Sequence, residues 1–278
     1  MQKFIFLGTP HVAEETLRAL LAAGFLPSLV VTNPDRPAGR GRVMTPSPVR
    51  VLAEANGIPV YMPEMLDDEA FAHLASVEAE YAICVAYGKI IPERVIKLYP
   101  KGILNIHYSL LPKYRGATPT EAALLAGDAE TGVTIQKMVY ELDAGDVIAQ
   151  EKIAIEPTWT VRELRPKLIE LGARMLVTVL PKYLAGEITP QPQDRTLASR
   201  CGKFAKTDGE LILSTENATD NWRKYRAYAD SIGTYFFEER GDKKVRIKII
   251  TATFDGTTFT PLRVIPEGKS EMNYIPKI

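Results

Sequence analysis

The sequence predicts an α/β protein, with a mostly parallel sheet covered by helices in its amino-terminal part and a smaller β-rich domain after it. Three observations carry this expectation. From residue 3 to about 155, short apolar runs alternate with stretches of helical period, the pattern of βαβ units. Between Gly186 and Thr207 the character changes, because Thr189-Pro190-Gln191-Pro192-Gln193-Asp194 cannot hold regular structure. Beyond it Val245, Ile247 and Ile249 alternate with Lys244, Arg246 and Lys248, the period of a half-buried strand.

In chain order, the expected strands of the first part are Lys3–Leu7, Pro27–Thr32, Pro59–Tyr61, Tyr81–Ala86, Ile103–His107, Gly132–Met138 and Val147–Ile155. Helices fall between most of the early ones. His11 follows Gly8-Thr9-Pro10 at the start of the first helix, in a capping or loop role, and His73 reads as a surface residue of a later one. Ser47-Pro48, then Val49, Leu52 and Ala53, then Gly57 supply an N-cap, a first-turn proline and a C-terminal glycine. Pro92 and Pro119 each open another helix. From Thr160 to Ala185 runs an amphipathic helix with Leu164, Leu168, Leu171 and Leu176 on its apolar side, and Pro166 predicts a kink or a late start. After the irregular segment come a short helix over Asp220–Ala229 and a tight hairpin turn at Asp255-Gly256. About 70 residues of this kind can close a small β-barrel, wholly or in part.

Composition narrows the function classes. Lys+Arg and Asp+Glu both total 34, so zero net charge gives no global argument for a polyanionic partner, and any nucleic-acid contact has to rest on local charge. Cys84 sits in the apolar run Tyr81–Ala86 as a small buried hydrophobe, Cys201 stands alone, and neither belongs to a metal or redox spacing. A reducing, cytoplasmic compartment follows. The opening strand is too short for a signal sequence, and Gly24 and Pro27 break the most apolar stretch, so no targeting or membrane segment is expected.

The chemistry concentrates in two segments. Asn105 and His107 alternate with Leu104 and Ile106, so they share one face at the carboxyl end of a strand, where open α/β sheets keep their ligand crevices. The strand Val133–Met138 delivers the turn Leu142-Asp143-Ala144-Gly145-Asp146 to the same edge, making Asp143 the third polar group. A carboxamide, an imidazole and a carboxylate without metal-ligand spacing suit acyl transfer to an amine. A hydrolytic triad of Ser109, His107 and Asp143 is disfavoured, since no Gly-x-Ser-x-Gly elbow exists. Gly8-Thr9-Pro10 is not a dinucleotide fingerprint, which speaks against a nicotinamide cofactor. In the second segment, Pro34 to Arg42, glycines and prolines separate arginines in a mobile loop whose guanidinium forks suit a phosphate backbone.

At these residues the sequence resembles the methionyl-tRNA formyltransferase family. The likeness rests on Leu7–Pro10, Asn33–Gly41, Thr45–Val49, Val85–Pro92, Asn105–Gly116 and Ala126–Ile135 together with the Asp143 turn. It implies a doubly wound formyltransferase domain over residues 1–188 that binds formyltetrahydrofolate, a linker over 189–207, and an OB-like domain over 208–278 that helps hold tRNA. By the same resemblance Asn105, His107 and Asp143 are catalytic. Ser109, Leu110, Leu111 and Pro112 form the folate loop, Tyr87, Gly88, Ile90 and Ile91 line the pterin pocket, and Arg36, Arg40 and Arg42 contact tRNA. The implied reaction moves a formyl group from 10-formyltetrahydrofolate to initiator methionyl-tRNA for translation initiation, in a monomer without a metal. Sugar-nucleotide N-formyltransferases share the trio but need neither the arginine loop nor the mildly basic second domain. A formyltetrahydrofolate hydrolase usually carries a regulatory domain ahead of the sheet, and a catalytically silent binder does not need the trio intact.

Overall fold

A computed structural model describes residues 2–38, 41–214 and 216–275. The first strands and helices are β1 (Phe4–Gly8), α1 (His11–Ala22), β2 (Leu29–Val31), β3 (Arg36–Ala38), β4 (Val43–Thr45), α2 (Pro48–Ala55), β5 (Val60–Tyr61), α3 (Asp68–Ser76) and β6 (Tyr81–Val85). Next come α4 (Glu93–Ile96), β7 (Ile103–His107), β8 (Arg115–Gly116), α5 (Pro119–Ala126), β9 (Glu130–Lys137), β10 (Val147–Ala154) and α6 (Val161–Leu184). The rest are β11 (Arg200–Cys201), α7 (Ala218–Tyr228), β12 (Thr234–Arg240), β13 (Lys243–Phe254), β14 (Phe259–Pro266) and β15 (Met272–Asn273). Among the described residues no helix is long and apolar enough to cross a membrane.

The chain forms two compact units. One holds the residues up to Gly116, Gly132–Lys152 and Lys167–Arg200. Its seven-stranded sheet has the order β10-β9-β7-β6-β1-β2-β5. β5, β2, β1, β6 and β7 run parallel, and β9 joins β7 antiparallel. The strand order reverses between β1 and β6, which makes the sheet doubly wound, and a crevice is expected beyond the carboxyl ends at that point. Alternate residues serve the two faces. Ile5, Leu7, Val31, Ala82, Cys84 and Ile103 pack with Ala70 and Leu74 of α3 and Val95 of α4. On the other face α6 approaches closely at Gly172, where a Cβ would stand 3.0 Å from Ile106 and 3.3 Å from Val133.

Local sequence explains the helix starts. Ser47 caps α2 by accepting from Arg50 N, and Asp67 caps α3 by accepting from Ala70 N. Before α6, Thr160 Oγ1 accepts from Arg162 N while Glu163 accepts from Thr160 N, a capping box. α6 then runs as one helix from Val161 through Pro166, so the late start expected there does not occur. The N–H that Pro166 lacks would have reached back to Arg162 in the first turn, so the loss is one bond at the helix end. His11 does not cap α1; its Nδ1 lies 3.0 Å from Glu14 Oε2, and His73 is exposed with its ring on Tyr61.

The second unit comprises Ala117–Thr131, Ile153–Pro166 and the chain from Cys201 on. Its antiparallel sheet has the order β12-β13-β14-β15. Leu211, Ala218, Phe236, Ile247, Ile249, Phe259 and Val264 form its core. α5 packs on α7 within this unit.

Candidate active site

β7 delivers the first two groups. Asn105 pairs across the sheet with Gln136 of β9, and His107 pairs with Thr134. His107 is buried, Asn105 half-buried, and among the described residues the Asn105 carboxamide has no recorded hydrogen bond, so its N–H groups are unspent. His107 Nε2 lies 2.9 Å from the carbonyl of Tyr114. A carbonyl only accepts, so Nε2 carries a proton and Nδ1 is the ring position left to exchange one. Nδ1 faces Asp143 Oδ1 at 3.6 Å, beyond a direct hydrogen bond. Thus the three groups assemble at one end of the sheet.

The Asp143 carboxylate is held by two donors. Oδ2 accepts from Gly116 N at 2.8 Å and Oδ1 from Gln136 Nε2 at 2.9 Å. Gln136 Oε1 in turn accepts from Gly145 N at 3.1 Å. Gly145 is obligatory there: a Cβ would stand 1.9 Å from the Lys137 carbonyl oxygen. Three non-glycine residues with left-handed backbone surround the site, Ala86 (φ 45°), Tyr114 (φ 59°) and Asp143 (φ 50°). Such strain gathers where geometry serves chemistry. Burial pushes the neighbouring Cys84 thiol up to about 12, and the charge of Asp143 pushes the same way, so Cys84 is a neutral wall residue.

The segment after β7 is wired to β9 and β10. Thr134 Oγ1 donates to Ser109 O and accepts from Leu111 N, while Gln150 Nε2 donates to Leu111 O and to Thr134 Oγ1. Ser109 Oγ donates to Lys113 O at 2.6 Å, so its hydroxyl is not turned to His107. Of the eight residues expected at the folate, Tyr87, Ile91, Ser109 and Leu111 are buried, Leu110 and Pro112 half-buried. Ile90 is 80% exposed, and Gly88 has left-handed φ with only Asn33 Nδ2 near a hypothetical Cβ, so this edge is open. A separate apolar cavity of about 330 Å³ lies at the other end of the sheet, among Phe4, Phe25, Leu26 and Tyr81. It holds none of the trio and no titrating acid or base of the kind the chemistry needs.

The arginine segment differs from the expected loop. Arg36–Ala38 and Val43–Thr45 pair as an antiparallel ribbon, Arg36 opposite Thr45. Arg36 is ion-paired with Glu64 at 2.8 Å. Arg42 is exposed with φ 48° and no recorded partner among the described residues, and Arg40 lies outside them. Sequence reasoning missed Gln136, Gln193, Thr134 and Gln150. A glutamine inside the apolar run Val133–Ile135–Gln136 was a readable signal for the first, and Thr134 stood in the same run. The others left none.

The family described as "Formyl transferase" matches residues 2–180, a span that takes in the doubly wound sheet and Asn105, His107 and Asp143. Among solved structures, a sugar N-formyltransferase from Shewanella shares the fold with a TM-score of 0.68 at 16% identity, covering 90% of this chain and 97% of that one. A phosphoribosylglycinamide formyltransferase from Bacillus halodurans gives 0.57 at 23% identity, over 67% and 97%. Sequence relatives are nearer. The methionyl-tRNA formyltransferase of Chloroflexus aurantiacus is 42% identical over 256 residues, 92% of this chain and 82% of its own. That of Thermotoga maritima is 41% identical over 252 residues, 90% and 79%. This chain belongs to the methionyl-tRNA formyltransferase family.

Proposed function

We propose that this protein moves the formyl group of 10-formyltetrahydrofolate onto the free α-amine of initiator methionyl-tRNA in the cytoplasm. The observation that carries the reading is the unspent Asn105 amide beside His107 and Asp143 at the open end of β7. Asn105 donates an N–H to the oxygen of the formyl group as the amine attacks its carbon. His107, held through Nε2 by Tyr114, shares that task or moves a proton at Nδ1. Asp143 orients the imidazole and, directly or through water, takes the proton from the attacking ammonium. A new C–N bond to the amine forms, the bond from the formyl carbon to folate N10 breaks, and a proton ends on N10. Ser109–Pro112 and Tyr87–Ile91 are the segments that receive the folate, with Gly88 and Ile90 at the accessible edge. Arg36, Arg40 and Arg42 are assigned to tRNA phosphates.

The test supplies 10-formyltetrahydrofolate with charged initiator tRNA, with an amino-sugar nucleotide, or with water alone, and follows loss of the donor. Consumption only with the charged tRNA is expected. Turnover with the sugar nucleotide or with water, at a rate equal to or above that with tRNA, overturns the proposal.

A further inference from the structure

The segment 189–200 belongs to the first unit and reaches the Asp143 turn. Gln191 pairs with Val147 through two backbone hydrogen bonds of 2.7 and 2.8 Å, which adds a short bridge beside the start of β10. That pairing sets Gln193 over the turn. Its Nε2 donates to the carbonyl of Asp143 at 2.9 Å and to that of Gly145 at 2.7 Å. Its Oε1 accepts from both Nε and Nη2 of Arg115, at 3.1 and 2.8 Å. Arg115 is 5% exposed and also faces Glu141 at 3.4 Å. The two carbonyls of the turn are therefore gripped from one side by Gln193, while Gln136 grips the Asp143 carboxylate and Gly145 N from the other.

We infer that Gln193 is a positioning residue for Asp143, locking the left-handed turn that aims the carboxylate at His107, with Arg115 fixing the orientation of the Gln193 amide. The inference rests on the catalytic reading of Asp143 given above. The chemistry is specific to an amide. One end must donate to two carbonyls while the other accepts from a guanidinium, and no other side chain of that length does both. Asp143 stands at φ 50° in a turn closed by the backbone bond from Ala144 N to the Glu141 carbonyl at 3.2 Å, so the side-chain bonds of Gln193 and Gln136 add to what holds it. A small misplacement of a reacting group is enough to cost about a hundredfold in rate.

Two variants separate the parts of this claim. Gln193→Met removes every bond of the amide at similar length. Gln193→Glu keeps the Arg115 partner but sets a carboxylate against the two carbonyls. For both, kcat is expected to fall by at least about tenfold with KM for folate and tRNA within about twofold. In the Asp143→Ala background neither substitution should slow turnover further, because the group being positioned is gone. The inference is overturned if Asp143→Ala is crippled while either Gln193 variant stays near wild type. It is equally overturned if the losses multiply in the double variants, or if only the urea midpoint moves. Should Asp143→Ala itself turn over normally, the catalytic reading fails first and the positioning role falls with it.

Discussion

Asn105 and His107 were legible because strand alternation is a rule of covalent geometry: two residues apart on one strand means one face. What no residue of the sequence announced is how His107 is oriented. Its partner is the Tyr114 backbone carbonyl, and a carbonyl is present at every position, so only the left-handed turn at Tyr114 makes this one available. The same applies to Asp143, whose side chain was readable but whose carboxylate is held by Gly116 N and Gln136. The unspent Asn105 amide gives the plainest prediction at this scale. Asn105→Ala should lower kcat by about a hundredfold or more, as loss of one oxyanion donor does, with folate binding retained. His107→Ala should fall at least as far, since under the proposed function it removes both the ring nitrogen that faces Asp143 and the contact to the Tyr114 carbonyl. Steady-state kinetics with a parallel folate-binding titration measure both. Near-normal turnover in either variant would remove that residue from the chemistry.

Whole elements were read well where a core imposes a pattern and poorly where none does. Every strand expected between residues 3 and 155 forms within two residues of its expected ends, and all of them but the two-residue β5 carry buried positions. The β3–β4 ribbon escaped notice for the opposite reason. Val43, Met44 and Thr45 are all exposed, so no alternation marks them, and Pro37 sits where an edge strand tolerates it. Pairing of Ala38 with Val43 sets Arg42 next to the start of β4, so under the proposed function this is the ribbon residue to test against tRNA. Arg42→Ala should weaken tRNA binding and make the plot of log affinity against log salt shallower by about one, the change expected for one lost phosphate contact. Arg36, already neutralised by Glu64, should give a smaller change in slope on the same substitution. Filter binding across a salt series reads both, and an unchanged slope for Arg42→Ala would take the ribbon out of tRNA recognition.

For the molecule as a whole, composition and pattern located the β-rich part of the chain but not the company it keeps. The antiparallel sheet is one piece of a unit that also draws in Ala117–Thr131 and Ile153–Pro166. Contacts of that kind join residues far apart in sequence, and no local period encodes them. Arg226 of α7 shows how they are made. It is buried, its Nε donates to the carbonyl of Trp159 and its Nη2 to that of Glu156 at 3.0 Å. Nearby, Arg162 reaches the carbonyl of Ala229, Trp222 Nε1 that of Pro157, and Arg165 bridges Glu121 and Asp230. Removing the guanidinium takes this donor from the Trp159 carbonyl, while the Glu156 carbonyl keeps the N–H of Trp159 at 3.0 Å, so the loss is about that of one buried hydrogen bond, about 1–3 kcal/mol. Arg226→Ala is therefore expected to lower the unfolding free energy by about 1–3 kcal/mol, seen as a lower urea midpoint at unchanged slope. Arg226→Lys should recover only part of it, because one ammonium cannot match the fork that reaches both carbonyls. Because none of these residues belongs to the Asn105–His107–Asp143 cluster, kcat measured well below the transition should stay near wild type. A variant as stable as the parent would mean that the sheet and the two earlier segments hold together by apolar packing alone.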